Sequence, residues 1–326
     1  MNKRTCPYCY CSNVIKHGKQ SGRQRFRCRV CRKTFTSKRQ TGRLARRILN
    51  AYVYDGLRVR TLSNAYNLHP NTIRKIIHQI PTTEIKQQPR PASLIMDTTY
   101  FKQADGLLVV IDPNASSGMN KTVYYAFLSH TETTLDYETA ADTIEAMGYS
   151  IISITIDGRR GVKGMLEDRG IPVQYCQFHQ LQTINQCLTR NPILTPHREL
   201  RDIALTLTGS DKATFESRLD RWHLKHGVWL RERYVDETGR RQYKHARCRR
   251  AYFSLRRNLP NLFTYQQPDL QEWSKHGVST RNTTSPLDGY FGNLKDKLRV
   301  HRGITKTLKN SLIRVLLSEV AEIGGN

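Results

Sequence analysis

The sequence predicts a mixed α/β protein in three sections: a small cysteine-clamped module, an all-α helix-turn-helix, and an α/β core interrupted by a helical insertion. Three observations predict it. Two Cys-x2-Cys pairs fall within the first 31 residues. Helical periodicity then runs up to Pro81, and beyond a proline-bearing linker short β-branched runs alternate with helical stretches. A chain of 326 residues has room for about two or three such domains.

The first section, residues 1–40, carries Cys6-x2-Cys9, then 18 intervening residues, then Cys28-x2-Cys31. Two such knuckles place four thiolates tetrahedrally around one Zn²⁺, so Cys6, Cys9, Cys28 and Cys31 are the expected ligands of a zinc ribbon. The metal would supply folding energy that so short a segment lacks in apolar core. Cys11 and His17 lie nearby as bystanders, and Cys176, Cys187 and Cys248 read as buried thiols.

Residues 41–82 read as a helix-turn-helix. Leu44, Ile48, Ala51 and Tyr52 form one apolar face, Leu62, Ala65 and Tyr66 a second, and Ile73, Ile76, Ile77 and Ile80 a third. Pro70 suits the first position of the last helix, whose other face offers Asn71, Thr72, Arg74 and Lys75. That is the layout of a helix that enters the major groove.

Charge supports nucleic acid as partner. Lys plus Arg is 53 against 27 Asp plus Glu, a formal charge of +26. Residues 1–93 hold 21 basic side chains and 2 acidic ones, the first being Asp55. Arg23 and Arg25 place part of this charge on the ribbon, as expected contacts to phosphate. No apolar run is long enough for a membrane helix, and no apolar stretch follows the basic N-terminus as a secretory signal requires.

Residues 83–93 read as a linker through Lys86-Gln87-Gln88-Pro89-Arg90-Pro91. From residue 94 short strands are expected at Leu94–Met96, Leu107–Ile111, Val123–Leu128, Ile151–Ile156 and Val173–Tyr175, with a helix over 135–147. Two strands end in an acid, Asp97 and Asp157. Carboxylates at adjacent strand ends suit a pair of Mg²⁺ ions, which take a few carboxylates and leave room for water and phosphate. Asp112 rivals Asp97, but Asp-Pro-Asn is turn chemistry. Ser285-Pro286 opens a helix whose stripe is Leu287, Phe291, Leu294 and Leu298, with Asp288 at its border. Asp288 reads either as a third acid or as a first-turn acid complementing the helix dipole.

Residues 185–280 are expected to be a mostly helical insertion, with Trp222 and Trp229 in its core. Arg231–Arg257 is basic and interleaved with Tyr234, Tyr243, Tyr252 and Phe253, a mix suited to phosphate contact and base stacking. Residues 281–326 close the core with two helices, the last one amphipathic through Leu308, Leu312, Leu316 and Val320.

Taken in order, these motifs resemble the bacterial insertion-sequence transposases with a DDE-type, ribonuclease-H-like catalytic domain, in the mutator-like group with an N-terminal zinc ribbon. The marks are Met96-Asp97-Thr98-Thr99-Tyr100, Ile156-Asp157-Gly158, Cys176-Gln177-Phe178-His179, Leu188-Thr189-Arg190-Asn191-Pro192, and the block from Asn282 to His301-Arg302-Gly303. The resemblance implies a transposase that binds its element's terminal inverted repeats and performs Mg-dependent end cleavage and strand transfer, Mn²⁺ substituting. It implies Asp97, Asp157 and Asp288 as metal ligands, His179 beside them, double-stranded DNA as partner, and a homodimer or higher oligomer on DNA. It also implies bacterial cytoplasm, at the nucleoid. One departure stands out: the family places Glu where this chain has Asp288, one methylene shorter. An inactive transposase-derived DNA-binding regulator and a nuclease without strand transfer are the alternative readings.

Overall fold

The computed structural model describes residues 6, 8–9, 11–20, 22–36, 41–79, 88–102, 105–116 and 121–318. The chain divides into two compact units, residues 1–80 and 81–326.

Unit 1 opens with an antiparallel sheet of β1 (Val14–Gln20), β2 (Arg23–Cys28) and β3 (Thr34–Thr36), in that order. Its apolar content is small: Phe26 and Phe35 pair across β2 and β3, ring centroids 6.0 Å apart. Three helices follow: α1 (Thr41–Val53), α2 (Val59–Tyr66) and α3 (Pro70–Ile77). They bury Ile48, Tyr52, Leu62, Ile73 and Ile77 between them. Ala65, expected inward, is exposed, because α2 turns Leu62 rather than Ala65 to the centre. Asn67, at φ 48°, ends α2 in the left-handed conformation that Asn tolerates, and so turns the chain into α3. Ile80, Pro81 and the linker to residue 87 lie outside the described residues.

Unit 2 is built on β4 (Pro91–Lys102), β5 (Asp105–Ile111), β6 (Thr122–Leu128), α4 (Thr134–Ala146), β7 (Ser150–Ile156), α5 (Arg160–Asp168) and β8 (Val173–Tyr175). The sheet order is β6-β5-β4-β7-β8, with β4, β5 and β6 antiparallel and β7 and β8 parallel to β4. Two expectations change. β4 begins at Pro91, inside the expected linker, and Asp97 lies within the strand rather than at its end. The cause is unequal pairing: β4 bonds to β5 as far as Lys102 but to β7 only as far as Ile95.

Alternation along β4 and β5 separates the two faces of the sheet. Leu94, Met96, Leu108 and Val110 join one continuous core with Tyr137, Ala140 and Ile144 of α4 and Val162 and Leu166 of α5. Ile95, Leu107 and Val109, also buried, belong to the opposite face.

The insertion comprises α6 (Gln177–Leu188), α7 (Thr195–Leu205), α8 (Lys212–Leu230), a hairpin of β9 (Arg233–Val235) and β10 (Arg241–Tyr243), α9 (Ala246–Leu262) and α10 (Pro268–Lys275). The hairpin was not expected. Its turn is set by Asp236, whose carboxylate accepts from the N–H groups of Thr238 and Arg240, and by Gly239 at φ 77°. Trp222 is buried and stacks on Tyr252, centroids 5.3 Å apart, so Tyr252 is core and not a contact surface. Trp229 is covered by the His245 ring at 3.5 Å. The chain closes with α11 (Ser285–Val300), which packs on β4, and α12 (Lys306–Leu317); Val320 lies outside the described residues.

Candidate functional site

Two groups of chemically able side chains stand out, one in each unit. In unit 1, β1 and β2 pair Val14 with Cys28, which brings the second knuckle beside the first. Cys6 and Cys31 sulfurs are 3.6 Å apart and those of Cys9 and Cys28 are 3.5 Å apart. A tetrahedral site with Zn–S near 2.3 Å requires about 3.8 Å between sulfurs. N–H groups of Tyr8 and Cys31 donate to Cys6 Sγ and Cys28 Sγ, both at 3.4 Å, which supports thiolate charge. The donor atoms of these four all lie within 4.8 Å of each other. They could hold one zinc ion. His17 is exposed on β1 and outside the set. Cys11 is closer than a bystander: its sulfur is 3.1 Å from Cys28 Sγ and 3.6 Å from Cys9 Sγ. Its two-residue distance from Cys9 was the available signal.

In unit 2 the sheet's register assembles the second group. The last parallel pair of β4 and β7 is Ile95 with Thr155. Two residues further on each strand come Asp97 and Asp157, at one level and on one face, the face opposite the α4–α5 core. Gly158 follows at φ 102°, a backbone that glycine adopts freely, and turns the chain away from Asp157 into α5. The same face is crossed by the segment that leads into α11. Ser153 and Thr155 reach Thr280 Oγ1 and the Arg281 carbonyl at 2.7 and 2.6 Å. Asn282 is strapped to Gln177 of α6 by two hydrogen bonds of 2.9 Å. This fixes the start of α11 and delivers Asp288, in its first turn, to Asp97 and Asp157.

The electrostatics record the convergence. Burial pushes the Asp97 carboxyl up to about 7; the Thr98 N–H, 2.8 Å away, opposes this, and the charges of Asp157 and Asp288 add to it. His179, in the first turn of α6, is pushed up to about 9, first by its hydrogen bond to Cys176 and further by Asp288 and Asp97. Burial raises the Cys176 thiol, but bonds from His179 and Thr284 outweigh it and leave the thiol below its ordinary value.

Three residues that the sequence reading passed over hold this group. Thr284, fully buried, is the true N-cap position of α11, one residue before the expected Ser285. Its hydroxyl lies 3.3 Å from each of His179 Nδ1, Asp288 Oδ2 and Cys176 Sγ. Arg159 Nε stands 3.9 Å from Asp157 Oδ2, and its guanidinium pairs with the buried Glu132. Glu132 in turn accepts from the Tyr137 hydroxyl at 2.6 Å, which also lies 3.3 Å from Thr98 Oγ1, beside Asp97. Asp112 takes no part: it is buried just past the end of β5 and held by Arg90 at 2.7 and 3.0 Å.

No protein-family model and no curated protein matches this chain. Assignment therefore rests on the site itself. The donor set of Asp97, Asp157 and Asp288 is all oxygen, which suits Mg²⁺ or Mn²⁺. Burial first, and repulsion second, raise the Asp97 carboxyl, and a dication would offset both.

The expected DNA contacts of unit 1 fall on its surface. Asn71, Thr72, Arg74 and Lys75 are all exposed on α3, with Arg74 Nη1 donating to Asn71 Oδ1 at 2.7 Å. Arg25 is half-buried and donates to Thr34 across the sheet at 3.4 Å. Arg23 opens β2, and its side chain lies outside the described residues. Among the described residues, no helix is long and apolar enough to cross a membrane.

Proposed function

We propose that this protein is a DNA transposase of the DDE/DDD type, with a ribonuclease-H-like core. The observation that carries the reading is the parallel register that sets Asp97 and Asp157 on one face beneath Asp288, with Asp97 pushed up by burial and by the other two carboxylates. A meander followed by two parallel strands, with the first acid on the central strand, supports the ribonuclease-H-like assignment. Unit 1 is read as the reader of the terminal repeats, the ribbon gripping phosphates and α3 entering the major groove.

Asp97, Asp157 and Asp288 would hold two Mg²⁺ ions. When bound, these supply Lewis-acid chemistry: they acidify a water and offset charge developing on the phosphodiester. The chain's own residues do the rest. Asp97 gives up its proton as the site is loaded. Thr284 holds Asp288 and His179 in one arrangement. His179, protonated at neutral pH, is placed to donate to a phosphate oxygen. Arg159, anchored by Glu132, orients the Asp157 carboxylate. Water attacks the bond at the element's end, and the freed 3′-OH then attacks target DNA in line, with no covalent enzyme intermediate.

Incubation of the zinc-loaded protein with DNA carrying the element's ends, in Mg²⁺ or Mn²⁺, tests this reading. End cleavage and joining into a plasmid are expected, and Asp97→Asn should abolish both. A second reading is favoured by one residue. Asp288 is shorter than the Glu of the resembling family, as a decayed site retained as a DNA-binding regulator would allow. It expects sequence-specific binding without cleavage by the wild type.

A further inference from the structure

Between α6 and α9, at the foot of the hairpin, lies an open groove of about 570 Å³. Its walls include Thr183 of α6, Tyr243 of β10, and Arg249, Arg250, Phe253 and Arg257 of α9. Those four α9 positions fall at i, i+1, i+4 and i+8, so they form one stripe along the helix. The stripe is about 12 Å long at 1.5 Å per residue.

Three features of the stripe point to an anion that carries flat rings. First, its guanidinium groups are uncommitted. Among the described residues none of Arg249, Arg250 and Arg257 forms an ion pair, whereas Arg256 pairs with both Glu216 and Asp220 at 3.1 Å. Second, Arg249 is fixed in orientation: its guanidinium carbon lies 4.0 Å from the Tyr243 ring centre and 4.6 Å from that of Phe253. A planar fork held between two rings presents its donors edge-on, which is the geometry of phosphate recognition. Third, Tyr243 and Phe253 remain half-exposed in the groove; Arg233 also lies 4.5 Å from the Tyr243 ring centre, so a further ring stacks on Phe253, or on Tyr243 in place of Arg233.

We infer that this groove is a binding site for a single DNA strand, with phosphates on Arg249, Arg250 and Arg257 and unpaired bases against Tyr243 and Phe253. Base faces are accessible only in unpaired nucleotides, and aromatic stacking beside a basic track is how single strands are held. A duplex hides those faces. The volume lies within the range of small-ligand sites, about 300–1,000 Å³. Position adds to this: the Thr183 hydroxyl donates to the His179 carbonyl at 3.0 Å, one turn along α6. The groove therefore starts one helical turn along α6 from His179, the histidine whose raised value records Asp288 and Asp97 nearby. What that placement means for cleavage rests on the transposase reading; the binding itself does not.

The test uses the full chain, with a short unlabelled duplex in excess to occupy unit 1. A fluorescent single-stranded 12-mer bearing 5-iodouracil is bound, photocrosslinked and mapped by mass spectrometry. Crosslinks are expected in the peptides that contain Tyr243 or Phe253. Arg250→Gln with Arg257→Gln should weaken the single strand about tenfold and lower its salt slope by about 1.4, at roughly 0.7 per lost phosphate contact. Both side chains are exposed, so the thermal midpoint should not move. Arg249 is left in place because its stacking ties the hairpin to α9. Crosslinks confined to unit 1, complete displacement of the single strand by the duplex, or an unchanged affinity and slope in the double variant would each overturn the inference. DNA-end cleavage is assayed separately in the same samples. Crosslinking without cleavage would leave the groove standing and remove the transposase reading, and the reverse result would do the opposite.

Discussion

Asp97 carries a strong electrostatic conflict. Its folded-state value of about 7 stands above its ordinary 3.8, so between these two the unfolded chain releases the proton first. The Asp97 contribution without Mg²⁺ should therefore fall as pH rises from about 4 to 7 and level off above. The effect is on the order of a few kcal/mol, at about 1.4 kcal/mol per unit. Urea melts from pH 4.5 to 8 should show this slope, and Asp97→Asn should flatten it. His179 has the same sign of slope, displaced to higher pH. Its raised value adds stability that is fully present below its ordinary 6.5 and is lost as pH rises through about 9. Thr284 acts only by position, through its contacts to His179, Asp288 and Cys176. Thr284→Val should lower end cleavage by about 10–100-fold, as loss of a supporting contact does at metal sites. It should also shift the His179 titration followed by NMR, which a purely packing role would leave alone. The acids and His179 were legible in the sequence because each sits in a short motif. Thr284, Glu132 and Arg159 were not, because their partners are brought from as far as 108 residues away and no local spacing announces such a meeting.

Elements show the same division between local and long-range causes. The ribbon was legible because two knuckles need little beyond their own spacing. Its fold should depend on the metal: Zn²⁺ chelation should collapse the NMR signals of β1 to β3 and leave those of unit 2, in line with the roughly 10–16 kcal/mol that structural zinc contributes. Retained ribbon signals after chelation would contradict a structural zinc. Helix α3 was legible from its period and from Pro70. If it enters the major groove, Arg74→Ala with Lys75→Ala should lower the salt slope of duplex binding by about 1.8, at about 0.9 per phosphate. Salt titrations of terminal-repeat DNA would check it. The hairpin of β9 and β10 was missed because three-residue strands carry too little alternation to register, although Asp236 and Gly239 mark its turn. The length of β4 was missed because it depends on which neighbour stops pairing first. That difference is what exposes Asp97 at the edge of β7.

At the scale of the whole molecule, charge and connectivity assign separate tasks. Unit 1 carries most of the net positive charge and an exposed basic helix, as a DNA-reading module requires. Unit 2 is only mildly basic, and there the charge is gathered in places: the aspartate group on one sheet face and the arginine stripe on α9. The division after residue 80 matches the change from helical periodicity to a proline-bearing stretch, while β4 takes in Pro91 of the expected linker. How the 130 residues between Asp157 and Asp288 fold back to bring those two acids together was not legible in the sequence, since this depends on the Thr280–Asn282 segment crossing the sheet and binding α6. The central claim is that these acids form one working site. The most direct measurement is Mg²⁺-dependent cleavage and joining of DNA bearing the element's ends, with wild type, Asp97→Asn and Asp288→Glu side by side. Joining by the wild type, lost by about 10²-fold or more in Asp97→Asn, is the expected result. Cleavage that survives Asp97→Asn would contradict the site, and activity seen only in Asp288→Glu would make the natural protein a regulator that binds DNA without cutting it.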